Sequence, residues 1–173
     1  MSRLTREIVL REALALGDER GFDAVTIRGV ADCLGVTPMA LYRHVEDKEG
    51  LLDGLADGLY AELRLPDPAG DWWEGLADLA RSTRAVLLKR PWAVPLFSRP
   101  LAGPHAFALE SALSATLRTA GFSQTEADEL HDQLSNMLFA LVQPELGGRR
   151  NRAAFERGLE LLHDGLTARL SRK

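Results

Sequence analysis

The chain has 173 residues, 46% apolar and 27% charged, with a net charge of −4 and an isoelectric point near 5.6. That apolar share supports a proper core in one domain or two small ones, and the mildly acidic balance excludes a globally basic nucleic-acid binder. The opening stretch, with Arg3, Arg6, Glu7 and Arg11, has the pattern of neither a signal nor a transit peptide, no apolar run approaches the ~20 residues of a membrane span, and the lone Cys33 cannot close an internal disulfide, so a reducing cytoplasm is expected.

Taken in chain order, glycine and proline punctuate the sequence into blocks whose apolar residues repeat every three or four positions, so the expected fold class is all-α. Thr5 caps a first helix that Gly21 stops after Arg20, with Ile8, Val9, Ala13 and Leu16 inward. Thr26–Leu34 reads as a short second helix with Ile27, Val30, Ala31 and Leu34 on one stripe. Thr37–Val45 reads as a third, capped by Thr37 and with Pro38 at its first position, where a missing N–H costs nothing. Asp47 caps a long fourth helix with Leu51, Leu52, Leu55, Leu59 and Leu63 inside, and Pro66, Pro68 and Gly70 then form the clearest linker. Further helices are expected over Trp72–Arg90, in Pro91–Ser98 broken at Pro95, over Pro104–Ala120, from the Ser123 cap to about Leu146, and over Arg152–Leu170. The Pro144–Asn151 connection reads either as a compact turn or as a place where a loop is left out.

Two short helices joined by a tight glycine turn present the second to the DNA major groove. Here the turn is Leu34–Thr37, with Gly35 where a left-handed backbone is cheap, and Val36 and Leu41 set the angle between the helices. Thr37, Pro38, Met39, Tyr42, Arg43 and His44 are left outside, and Arg28 projects from the second helix. Thr37 and Met39 can touch base edges, Arg28 can pair bidentately with guanine, and Tyr42 offers a hydroxyl to phosphate. Thr26 and Lys48 stand at helix N-termini, where backbone N–H groups favour phosphate. Residues 1–48 hold seven basic and eight acidic side chains, so this charge must act locally. Most helix pairs of this kind bind no DNA, and the pattern alone leaves both readings open.

The run LGVTPMALYRHVEDKEGLLDGL, with Ala13, Leu16, Gly21, Thr26, Ile27, Arg28, Val30 and Ala31 before it, resembles the DNA-binding domain of the TetR family, whose best-known member is the tetracycline repressor. The resemblance implies a homodimer with two recognition helices on a palindromic, double-stranded operator. It implies that Arg28, Thr37, Met39 and Tyr42 approach bases, with Met39 tuning which operator is read. It implies that Thr26, Tyr42, His44 and Lys48 hold phosphates. Glu46 and Asp47 depart from expectation, since both would repel phosphate; Asp47 is taken up by capping the next helix and Glu46 faces away.

The stretches RPWAVPLFSRPLAGPHAFALESALSATLRTAGFS and FERGLELLHDGL resemble the C-terminal halves of tetracycline-repressor-like proteins, particularly actinobacterial ones. The expected organisation is a three-helix head over residues 1–47 and a helical ligand-binding and dimerisation domain over 48–173. By the resemblance the last two helices form a four-helix bundle with their twins, through Leu130, Leu134, Leu138, Leu141, Phe155, Leu159, Leu162 and Leu166. The simpler alternative is that these stripes only close the chain's own core. Candidate contacts to a small-molecule effector are Tyr60, Trp72, Trp73, Trp92, Phe97, His105, Phe107, Met137 and Phe139, of which adjacent Trp72 and Trp73 are expected to face different ways. Each also fits an ordinary core role. A tetracycline–magnesium site is not carried over: position 64 is Arg64, and no asparagine precedes Asn136.

An enzyme is the rival class, and the parts are missing. His44, His105, His131 and His163 lack metal-ligand spacing, and neither a phosphate loop nor a G-x-S-x-G elbow occurs. No cofactor, metal or membrane partner is expected. Cys33 reads as a small buried apolar residue, and Gly50, Gly54 and Gly58 read as a smooth stripe for close helix packing, with a compliant lever as the alternative.

Overall fold

The structure is a computed structural model and describes residues 3–149 and 151–172. Among these, nine α-helices and two 3-10 turns carry the chain. They are α1 (Arg6–Arg20), α2 (Ile27–Leu34), α3 (Pro38–Leu41), α4 (Lys48–Tyr60), α5 (Trp72–Lys89), α6 (Val94–Phe97), α7 (Pro104–Ala120), α8 (Gln124–Leu146) and α9 (Arg152–Leu170). None is long and apolar enough to cross a membrane.

Most ends lie where cap chemistry puts them. Thr5, Thr26 and Asp47 accept from the N–H groups of Ile8, Gly29 and Gly50, and Ser123 and Glu126 close a reciprocal capping box. Asn151 caps α9 by accepting from Ala154. The third helix is shorter than the expected Thr37–Val45. Pro38 brings no N–H, and the turn closes tightly through Ala40 N–H to the Thr37 carbonyl (2.9 Å) and His44 N–H to the Leu41 carbonyl (2.8 Å). Thr37 has the extended backbone of a cap but makes no capping bond. The fourth helix likewise ends at Tyr60, before Leu63. Pro144 lies inside the last turn of α8 rather than opening a connection, and of the Pro144–Asn151 stretch Arg150 lies outside the described residues.

The chain groups into two compact units. One joins 1–61 to 90–107; the other joins 62–89 to 108–173. The first therefore reaches past residue 47 and takes in α4 and α6. Its core holds Val9, Ala13 and Leu16 of α1, Ile27, Val30 and Ala31 of α2, Leu41 of α3, and Leu51, Leu52, Leu55 and Leu59 of α4. In the second, Leu76, Leu113, Leu117, Phe122, Ala127, Leu130 and Leu166 cluster, with Trp72, Trp73, Leu134 and Leu170 against them.

Only Gly54 of the glycine triad makes a close approach: a Cβ there would stand 2.7 Å from Leu10 and 2.8 Å from the Arg6 guanidinium. Gly50 has ordinary clearance and Gly58 faces open space, so the smooth stripe reduces to one residue. Cys33 is exposed, against the expected burial, because it lies on the flank of α2 beside the buried stripe of Ile27, Val30 and Ala31 rather than within it.

Candidate nucleic-acid interface

Gly35 takes the left-handed backbone (φ 65°) that turns α2 into α3, and its N–H reaches back to the Asp32 carbonyl. Leu41 is fully buried beneath the turn and Val36 half-buried. Around that turn Arg28, Thr37, Pro38, Tyr42, Arg43 and Lys48 are exposed, and Met39 is 71% exposed. His44 and Thr26 are half-buried. Exposing a thioether and a phenol beside one another costs apolar contact with nothing gained inside the unit. Among the described residues Arg28, Arg43 and Lys48 enter no ion pair. The Thr26 hydroxyl oxygen accepts from Gly29 N–H at 2.9 Å, which leaves its own proton free to donate. Asp47 is occupied as the α4 cap, accepting from Gly50 at 2.8 Å, and Glu46 is exposed.

The effector candidates fall in both units. In the first, Tyr60 meets Phe97 edge-on, with ring centroids 5.3 Å apart, and burial raises the Tyr60 pKa above 10.0. Trp92 lies over Gly17 and donates its indole N–H to Asp18 at 2.8 Å. His105 pairs with Asp57 at 2.9 Å, while Asp57 also accepts the N–H groups of His105 and Ala106 at the start of α7. Phe107 is exposed. Trp72, Trp73, Met137 and Phe139 belong to the second unit, with Met137 exposed and Phe139 half-buried. Trp72 and Trp73 do not face apart as expected: both rings pack on one apolar cluster and both meet His163, at 6.0 and 4.7 Å. Their size offsets the angular step between neighbours on a first helical turn.

Of the eight leucine and phenylalanine positions expected at a dimer face, Leu130, Phe155, Leu159 and Leu166 are buried within the chain itself. Leu134, Leu138, Leu141 and Leu162 are half-exposed, and Leu161, which the sequence reading did not single out, is 73% exposed on α9. Beneath them Arg84 of α5 grips Glu145 of α8 through two bonds of 2.7 and 2.6 Å and lies over the Phe155 ring of α9. The bond to Glu145 raises the Arg84 pKa above its already high ordinary value.

With this geometry in view, two family profiles match the chain. One, described as bacterial regulatory proteins of the tetR family, matches residues 9–55; the other, a tetracyclin repressor-like C-terminal domain, matches residues 65–142. The chain belongs to the tetR family.

Among curated relatives, an HTH-type transcriptional regulator of Saccharopolyspora erythraea is 35% identical over 82% of this chain. The chain spans only 61% of that relative's length. A class A tetracycline repressor protein of Escherichia coli is 30% identical over 98% of this chain and 93% of its own length. Among solved structures, the Streptomyces coelicolor TetR family protein ActR in complex with (S)-DNPA is similar with a TM-score of 0.83, 25% identity, and coverage of 96% of this chain and 98% of that one. BioQ with its double-stranded DNA operator is similar with a TM-score of 0.80, 27% identity, and coverage of 96% and 99%.

In this tetR-family chain the sequence reading missed the carboxylates that organise the head unit. Arg99 donates to Asp53 at 2.6 and 3.0 Å and pairs with Glu49 at 2.8 Å, and the Asp53 bond raises its pKa above the ordinary arginine value. No short-range signal marks such pairs, because their partners lie dozens of residues apart.

Proposed function

We propose that this tetR-family protein is a ligand-responsive transcriptional repressor that binds a palindromic operator as a homodimer and is released by a small-molecule effector. The observation that carries the reading is the group of Arg28, Thr37, Pro38, Met39, Tyr42, Arg43 and Lys48, all exposed around one left-handed glycine turn. In this reading Arg28, Thr37, Met39 and Tyr42 approach bases, Thr26, Tyr42, His44 and Lys48 hold phosphates, Arg43 adds charge near the backbone, and Pro38 is exposed beside them. By role rather than by compactness, residues 1–47 read DNA and 48–173 sense and dimerise, in the cytoplasm. Two heads must sit ~34–36 Å apart to enter successive major grooves. The operator complex of BioQ and the ligand complex of ActR support the two halves of the reading.

Dimerisation is assigned to the outward faces of α8 and α9. Leu134, Leu138, Leu141, Leu161 and Leu162 meet the partner there, while Leu130, Phe155, Leu159 and Leu166 support them from within. The effector contacts are assigned among Tyr60, Trp72, Trp92, Phe97, His105, Phe107, Met137 and Phe139.

The test is a selection of random duplex DNA on the purified protein, repeated with Tyr42→Ala. An enriched palindrome lost in the variant is the expected result. No enrichment from the unmodified protein at low salt overturns the reading.

A further inference from the structure

The head's compact unit is completed by a stretch remote in sequence, residues 90–107. That stretch is bonded to two helices through their carboxylates. On α4, Arg99 holds Asp53 and Glu49, and Asp57 accepts the first N–H groups of α7. Gly103 (φ 98°) has no room for a Cβ against Asp57. On α1, Asp18 accepts from the Trp92 indole at 2.8 Å and lies 3.3 Å from the buried Arg90 guanidinium. Beside it the Trp92 ring occupies the notch of Gly17, where a Cβ would stand 2.5 Å from two ring carbons. A side chain at position 17 and this indole cannot share the space.

We propose that residues 90–107 form a strap whose latch is Trp92 seated on Gly17. It is a conformational device that holds α1 in the arrangement competent to bind operator. The proposal rests on the operator reading above. The physical link is short: α1 packs on α2, and Val9, Ala13 and Leu16 of the one and Ile27, Val30 and Ala31 of the other are all buried in the same unit, so a displaced α1 carries the reading pair with it. Interiors at this density shift between discrete packings rather than deform smoothly. The latch makes operator affinity depend on a residue far along the chain from Arg28 and Tyr42.

The experiment compares the full-length protein with Gly17→Ala and Trp92→Phe, by amide hydrogen exchange and by binding to the duplex the selection yields. Trp92→Phe keeps a ring in the notch but removes the Asp18 bond, so it reports even where Gly17→Ala fails to fold. Exchange is expected to rise in residues 6–20 and 90–97 together, with α5, α8 and α9 unchanged. Operator affinity is expected to fall about tenfold with Gly17→Ala, as when the competent state drops to about a tenth of the population, and less with Trp92→Phe. Adding Trp92→Phe to Gly17→Ala should add nothing further. Unchanged exchange, an equal rise in every helix, or full operator affinity in a loosened variant overturns the latch. A wild-type protein that selects no duplex sinks the operator reading instead, and with it the latch's role in affinity; the exchange measurement still decides whether Trp92 holds α1.

Discussion

At the start of α2 the Thr26 hydroxyl accepts Gly29 N–H, so the side chain assigned to a phosphate also fastens its helix. Thr26→Ala should lower stability by about 1 kcal/mol, the usual worth of such a cap, in a denaturant melt. Gly29 is constrained from the other side. A Cβ there would meet the Ala24 carbonyl at 2.6 Å, so alanine loses stability despite a helix propensity better by about 1 kcal/mol. Tyr60 is a different case. Burial favours its neutral phenol, which raises its folded pKa above the ordinary 10.0. The folded state thus holds the proton more tightly than the unfolded one. The associated stability is complete below pH 10 and is lost as pH rises through the raised value. Absorbance titration of Tyr42→Phe, whose remaining tyrosine is Tyr60, should show ionisation above 10.0 when folded and near 10 in denaturant. A folded inflection at or below 10.0 contradicts this.

Among the elements, helix starts were legible because Thr5, Thr26, Asp47 and Ser123 carry their own capping oxygen, which acts over three residues. The end of α3 was not, since its tight closure depends on which carbonyl the chain finds after Leu41 rather than on any one residue type. The left-handed Gly35 turn and the exposure of Arg28, Thr37, Met39 and Tyr42 around it were legible, because a glycine turn and a polar set are local signals. The strap was not, because Asp18 and Trp92 are 74 positions apart and neither advertises the other. The same holds for Arg84 and Glu145, where Glu145 is 2% exposed at the side chain. Removing one partner of such a pair leaves a buried charge unmatched. Glu145→Ala should cost about 3–5 kcal/mol in equilibrium unfolding, and Arg84→Met with Glu145→Leu should recover most of it. Equal loss in the single and double variants would show that packing alone, not charge matching, is at stake.

For the whole molecule, the proposed homodimer places α8 and α9 against their twins, and Leu161 is their most exposed large apolar side chain. Leu161→Arg should give a monomer of unchanged helicity by sedimentation and circular dichroism, with operator binding reduced. A dimer that persists would move the interface elsewhere. The head unit, for its part, is discontinuous: residues 1–61 are completed by 90–107. A ribosome adds about 5–20 residues each second. The α2–α3 pair therefore leaves the exit tunnel seconds before the stretch that completes its unit exists. During that interval the Gly17 notch is empty and the carboxylates of α1 and α4 face water. The nascent chain passes through a stage with the residues of the proposed interface made but not yet fixed, and a polypeptide cut off after α4 would be held at that stage.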